Sequence, residues 1–267
     1  MNTLRDSLWI WGHDAGCHHK GAGLQWKIPG ENKMGPAEAA EYLGIPNCCR
    51  VVFEGSPATP FDEESRKLSY FRNVVWSITG DVSSVRNSDG NDDLAEVIRQ
   101  AKMFGNVTGG VLDDFFRTAQ KDARMSLERM REVRDTLHSF ERPLELWLVY
   151  YAALFDIDYS KYLDLVDVLT FWSWTSEELA RAEENLERMC VLAHGKKCYA
   201  GCYLYNYGDC RELTDDEMKF QLELYLEMWK SAKIDGIIFC SNNIVDTGVN
   251  SINILRQWLA EHSAETR

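Results

Sequence analysis

SLWIWGHDAGCHHKGAG, residues 7–23, pairs an apolar β-type run with the loop that follows it. An open doubly wound α/β sheet would lead its first strand into a G-x-G-x-x-G phosphate turn. Here the glycines stand at 12, 16, 21 and 23, and that spacing is not kept. The rest of the chain then decides between an open sheet and a closed barrel. Further β-type runs occur at 49–55, 73–79, 107–114, 144–151, 166–174, 197–205 and 235–242, which makes eight. Helix-period stretches separate them at 36–43, 62–70, 91–104, 117–139, 159–164, 176–194, 214–232 and 248–262. Strands alternating with helices pair in parallel through right-handed crossovers, and such strands are buried on both faces. The near-continuous apolar run GIIFC fits that burial. Eight β/α units in 267 residues predict one (β/α)₈ TIM barrel of the α/β class, a single domain over residues 1–267.

Charge and composition narrow the function. A formal net charge of −13 opposes binding to nucleic-acid phosphates or to an anionic membrane surface. No run approaches the roughly 20 apolar residues of a bilayer span. The N-terminal MNTLRDSLWIWGHD lacks the apolar core and cleavage site of a secretory signal, so a cytoplasmic location is expected. The eight cysteines form no C-x-x-C pair and read as small buried thiols. Thr175 before SEE and Thr214 before DDE read as helix N-caps.

In such barrels the strand C-termini and the loops after them carry the chemistry. Taken strand by strand, they offer Trp11, His13 and Asp14; Glu54; Trp76 and Asp81; Asp113 and Asp114. The later strands offer Tyr150 and Tyr151; Trp172 and Trp174; Tyr205 and Asn206; Ser241, Asn242 and Asn243. Acids, aromatics and amides suit a carbohydrate, whose C–H faces stack on rings and whose hydroxyls bond carboxylates and amides. A phosphate would call for glycine turns and Arg or Lys. Plainer readings stand beside each candidate. A Trp on a buried strand is often core, Glu54 could pair with Arg50 or Arg72, and Asp81 lies in a polar loop. Strand alternation aims only one of Asp113 and Asp114 into the mouth.

His13, His18 and His19 with Asp14 raise a metal hypothesis. Later strands bring no further histidine, so His13 is expected to hydrogen-bond a ligand, with no metal and no cofactor. No G-x-S-x-G elbow and no strand-end lysine is present.

With GGVLDDFF at strand four, TFWSW at strand six and the aromatic mouth in hand, the chain resembles a glycoside-hydrolase-type (β/α)₈ barrel. The resemblance implies two carboxylates flanking a glycosidic bond. It casts Asp113 or Asp114 as nucleophile or base, and as the acid Glu54 first, with Asp209 or Asp14 behind it. His13, Asp14, Trp76, Asp81, Tyr151, Trp172, Trp174, Tyr205, Asn206 and Asn242 would contact the sugar. The alternatives are a carbohydrate-binding barrel without catalysis and a metal-dependent sugar isomerase or lyase. The loop at 13–35, with its five glycines, suits a lid or a contact between copies of the chain.

Overall fold

A computed structural model describes residues 2–88, 90–117 and 119–267. Eight parallel strands close a barrel: β1 (Leu8–Gly12), β2 (Asn47–Arg50), β3 (Asn73–Thr79), β4 (Val107–Leu112), β5 (Glu145–Tyr151), β6 (Val168–Trp172), β7 (Lys197–Tyr203) and β8 (Gly236–Cys240). Sequential strands are neighbours, and β8 pairs with β1 to complete the ring, with Leu8 opposite Ile237 and Trp11 opposite Cys240. Helices fill the crossovers: α1 (Pro36–Leu43), α2 (Asp62–Lys67), α3 (Leu94–Met103), α4 (Leu127–His138), α5 (Ser160–Leu163), α6 (Ser176–Ala180), α7 (Ala182–Ala193), α8 (Asp215–Lys230) and α9 (Asn250–His262). The closed barrel predicted from the alternation is the architecture observed. No helix of the described residues is long and apolar enough to cross a membrane.

Local rules set several boundaries. Thr175 and Thr214 accept hydrogen bonds from the backbone N–H groups of Glu178 and Glu217, capping α6 and α8. Glu217 returns the bond to the Thr214 N–H and completes a capping box. One stretch departs from expectation. Residues 117–139 do not form a single helix, because Phe116–Arg117 pairs with Asp122–Ala123 as a short antiparallel hairpin before α4 begins. Lys121 takes a left-handed φ of 54° at the turn, and the Phe116 ring stacks on Tyr159 at 3.8 Å. That burial outweighs the helical propensity of the polar run.

Alternate residues of the strands fill the interior. Trp9, Trp147 and Tyr199 meet low in the barrel, with Trp9 and Trp147 centroids 4.8 Å apart. One level up, Trp11, Trp172 and Tyr203 pack at 5.1–5.2 Å. This upper level requires Gly201, since a Cβ there would lie 2.1 Å from the Trp172 ring. Gly201→Ala is therefore expected to tilt Trp172 and cost about 1–3 kcal/mol of stability. Thermal melting checks it, and an unchanged melting temperature would refute the packing account.

Candidate active site

The upper aromatic level is the floor of a cavity of about 640 Å³ at the C-terminal ends of the strands. Trp11, Val149, Trp172, Tyr203 and Cys240 form the floor, and His13, His18, Trp26, Phe53, Trp174 and Tyr207 build the walls. Trp26 and Tyr207 pack edge to face at 5.1 Å, and Trp174 stacks with Tyr207 at 6.0 Å. Four acids reach the lining: Asp81, Asp113, Asp114 and Glu178.

Both members of the β4 doublet face this space, although strand alternation predicts one. Asp113 continues the ladder, its N–H donating to the Thr79 carbonyl at 3.1 Å. At Asp114 the chain leaves the strand with a left-handed φ of 42°, which turns the second side chain to the same side. Aspartate tolerates that conformation better than most residues. The Arg124 guanidinium holds the turn from behind through the carbonyls of Gly80, Asp113 and Asn87.

The two carboxyl groups differ electrostatically. Asp113 is 6% exposed, and burial, then the charges of Asp114 and Asp81, push its pKa well above the usual carboxylate range. Burial also raises Asp114, but hydrogen bonds from the Tyr151 hydroxyl (3.0 Å) and the Val82 N–H (3.4 Å) favour its ionised form. Asp81 is fully engaged: it accepts from the Glu54 N–H (3.0 Å), the Ser84 hydroxyl (2.6 Å), and the N–H and hydroxyl of Ser83. Glu178 accepts from the Trp174 N–H at 2.6 Å.

Among the residues expected to bind or act, His13, Asp81, Asp113, Asp114, Tyr151, Trp172 and Trp174 line the cavity. The structure places the others elsewhere. Glu54, at a φ of 50°, turns its carboxylate onto the Ala22 N–H (2.7 Å) and against Gly21, where a Cβ would lie 2.1 Å from Glu54 Oε2. It anchors the first loop. Asp14 pairs with Arg50 and the Ser56 hydroxyl. Trp76 points outward, stacked on Phe61 at 4.3 Å beneath α2. Tyr205 donates to the Trp26 carbonyl at 2.8 Å and so supports a wall residue from outside. Asn206 binds Ser176 and Asp209, tying the β7 loop to α6. Asn242 is fully buried and holds the His13 N–H at 2.8 Å.

Trp26, Phe53, Tyr203, Tyr207 and Glu178 line the cavity without having been expected from the sequence, and His18, expected only within a metal cluster, joins them. For Tyr203 a signal was present. In KCYAGCYLY the period of two puts Tyr199, Gly201 and Tyr203 on one face, and the strand ends at Tyr203 rather than Tyr205. The loop residues carry no such periodic signal.

Fold and cavity together define a (β/α)₈ barrel with an acid-and-aromatic pocket over its strand ends. No family model and no curated protein matches the sequence. Solved structures do match. The catalytic domain of a hyperthermophilic chitinase from Pyrococcus furiosus superposes with a TM-score of 0.63 at 12% identity, covering 100% of this chain and 99% of that one. A GH113 β-1,4-mannanase gives 0.53 at 12% identity (98% and 100% covered). An amidohydrolase from Burkholderia multivorans gives 0.55 at 13% identity (97% and 92% covered). Likeness at these identities establishes the shared barrel, and function has to be argued from the site.

Proposed function

We propose that the protein is a carbohydrate-active hydrolase that cleaves a glycosidic bond in this cavity. The observation that carries the reading is the pairing of Asp113 and Asp114 in one aromatic pocket, where burial raises both carboxyls and the Tyr151 hydroxyl opposes that rise at Asp114. Two carboxyl groups held in different states at one pH are what acid–base cleavage of an acetal needs. Asp113, protonated by burial, would donate its proton to the departing glycosidic oxygen. Asp114, whose ionised form the Tyr151 hydroxyl favours, would attack the anomeric carbon or take a proton from the attacking water. Trp172, Trp174 and Trp26 offer ring faces to the sugar, and Glu178 offers a carboxylate to a hydroxyl. Glu54, tied to the first loop, serves as a positioning residue in this scheme.

A panel of aryl glycosides tests the proposal. Turnover by the wild-type chain that falls about 10²–10⁴-fold in Asp114→Asn, with sugar binding retained, is the expected result. Sugar binding without turnover would instead favour a binding barrel. Tyr151→Phe removes the hydrogen bond that favours ionised Asp114, so the Asp114 pKa rises. The acidic limb of the pH–rate profile should then move to higher pH, and a limb that stays in place would argue against Asp114 as base or nucleophile.

A further inference from the structure

The first βα loop carries a cluster that glycosidic cleavage does not use. Within six residues it places His13, Cys17 and His18 so that one candidate ligand atom from each lies within 4.8 Å of the others. All three are buried, at 5%, 3% and 2% exposure. His13 Nδ1 and His18 Nε2 are 3.1 Å apart. Two nitrogens on one tetrahedral zinc-class ion, at bonds of about 2.0–2.1 Å, would be separated by roughly 3.3 Å. We propose that His13, Cys17 and His18 form a binding site for one divalent transition ion of the zinc class, its fourth position opening into the cavity.

The surroundings are built as a ligand cradle would be. Gly16, at a φ of 68°, makes the turn that brings Cys17 and His18 back over His13. Asn242 Oδ1 accepts the His13 N–H at 2.8 Å and Asn243 Oδ1 the His18 N–H at 3.2 Å, so the β8 loop holds both imidazole-bearing residues. Tyr207 sits 3.2 Å from His18 Nδ1 and 3.3 Å from Ser241 Oγ. That contact orients the ring and leaves Nε2 facing His13, the outer-sphere support that metal-bound imidazoles usually have. Two nitrogens and one sulfur select a borderline ion over magnesium or calcium. Cys17 would bind as thiolate, its proton released to solvent. His13 and His18 line the cavity, so the open position faces it and would hold a water or a substrate hydroxyl.

All three ligands belong to the loop itself and the test reads metal rather than turnover, so the site stands or falls apart from glycosidic chemistry. The full chain, stripped with a chelator and dialysed, is titrated with Co²⁺ and then Zn²⁺. One equivalent is expected, with tetrahedral cobalt bands and a thiolate-to-cobalt charge-transfer band. Cys17→Ser should remove that band, and Tyr207→Phe should weaken binding about 10–100-fold. X-ray absorption of the zinc-loaded wild type should show two nitrogens, one sulfur and one oxygen, a reading that needs no variant to fold. Absence of stoichiometric uptake by chain that circular dichroism shows folded overturns the proposal. So does a first shell without sulfur, or uptake unchanged in Cys17→Ser.

Discussion

Asp113→Asn is expected to lower turnover about 10²–10⁴-fold and, at neutral pH, to make the protein more stable. The two effects share one cause. Burial, reinforced by the neighbouring charges of Asp114 and Asp81, raises the Asp113 pKa well above the 3.8 of a free aspartate. Between 3.8 and that raised value, the folded chain holds a proton that the unfolded chain has released. Stability is therefore lost as pH rises through this window, while below 3.8 both states are protonated and the term vanishes. Asparagine fills the same space without ionising, so its advantage is nil at acid pH and grows towards neutrality. A gain of about 1–2 kcal/mol at pH 7 is a reasonable size for such a change. In a chain of this length it is a rise of roughly 2–8 °C in melting temperature. Melting curves at pH 4.5 and pH 8, set beside aryl-glycoside assays, check both halves. A variant that keeps its activity, or melts lower than wild type at pH 8, would remove the basis for placing the acid at Asp113.

Arg50→Met has the opposite sign and a larger effect on stability. The guanidinium is fully buried and bridges the end of β2 to the first loop. It donates to the carbonyls of Gly12 (3.2 Å) and Val51 (3.0 Å), to Glu64 (3.0 Å), and to Asp14. Burial raises the Asp14 and Glu64 carboxyls, and the Arg50 charge with their other hydrogen bonds more than reverses it, leaving both below their ordinary values. Methionine would leave two half-buried carboxylates and two carbonyls without their partner, at a cost of about 3–5 kcal/mol. The melting temperature should drop by roughly 6–20 °C. A carboxyl with a depressed folded pKa supports the fold above its unfolded value and loses that contribution as pH falls. The variant's deficit should thus be greatest at neutral pH and shrink as Asp14 and Glu64 protonate. Adding Asp14→Asn and Glu64→Gln should recover much of the loss, because it removes the stranded charges. A deficit independent of pH would show that Arg50 acts through packing and its carbonyl hydrogen bonds rather than through its two carboxylate partners.

Part of the site was readable residue by residue. The acidic doublet, Tyr151, Trp172 and Trp174 stand at strand ends whose positions follow from hydrophobic period, and all of them line the cavity. Trp76 and Tyr205 carry the same local signature and face away from it, Trp76 under α2 and Tyr205 behind Trp26. A strand end that shifts by one residue exchanges inside for outside, and the register of neighbouring strands sets where that end falls. Glu54 shows a second limit. Its left-handed backbone turns the carboxylate towards the returning first loop, a partner 32 positions away in the chain.

The alternation of buried strands with amphipathic helices, the Thr175 and Thr214 caps and the closed barrel were legible in the sequence. Period and capping chemistry are local quantities that neighbouring residues express without reference to the rest of the chain, and the count of eight β/α units sums them along its length. That Asp113 and Asp114 face one pocket, that Trp26 and Tyr207 wall it, and that the β8 asparagines gather His13 and His18 beside Cys17 emerged with the folded chain alone. Those outcomes depend on a single φ angle, on barrel register and on loops returning over the mouth, where contacts between distant residues outweigh any local preference.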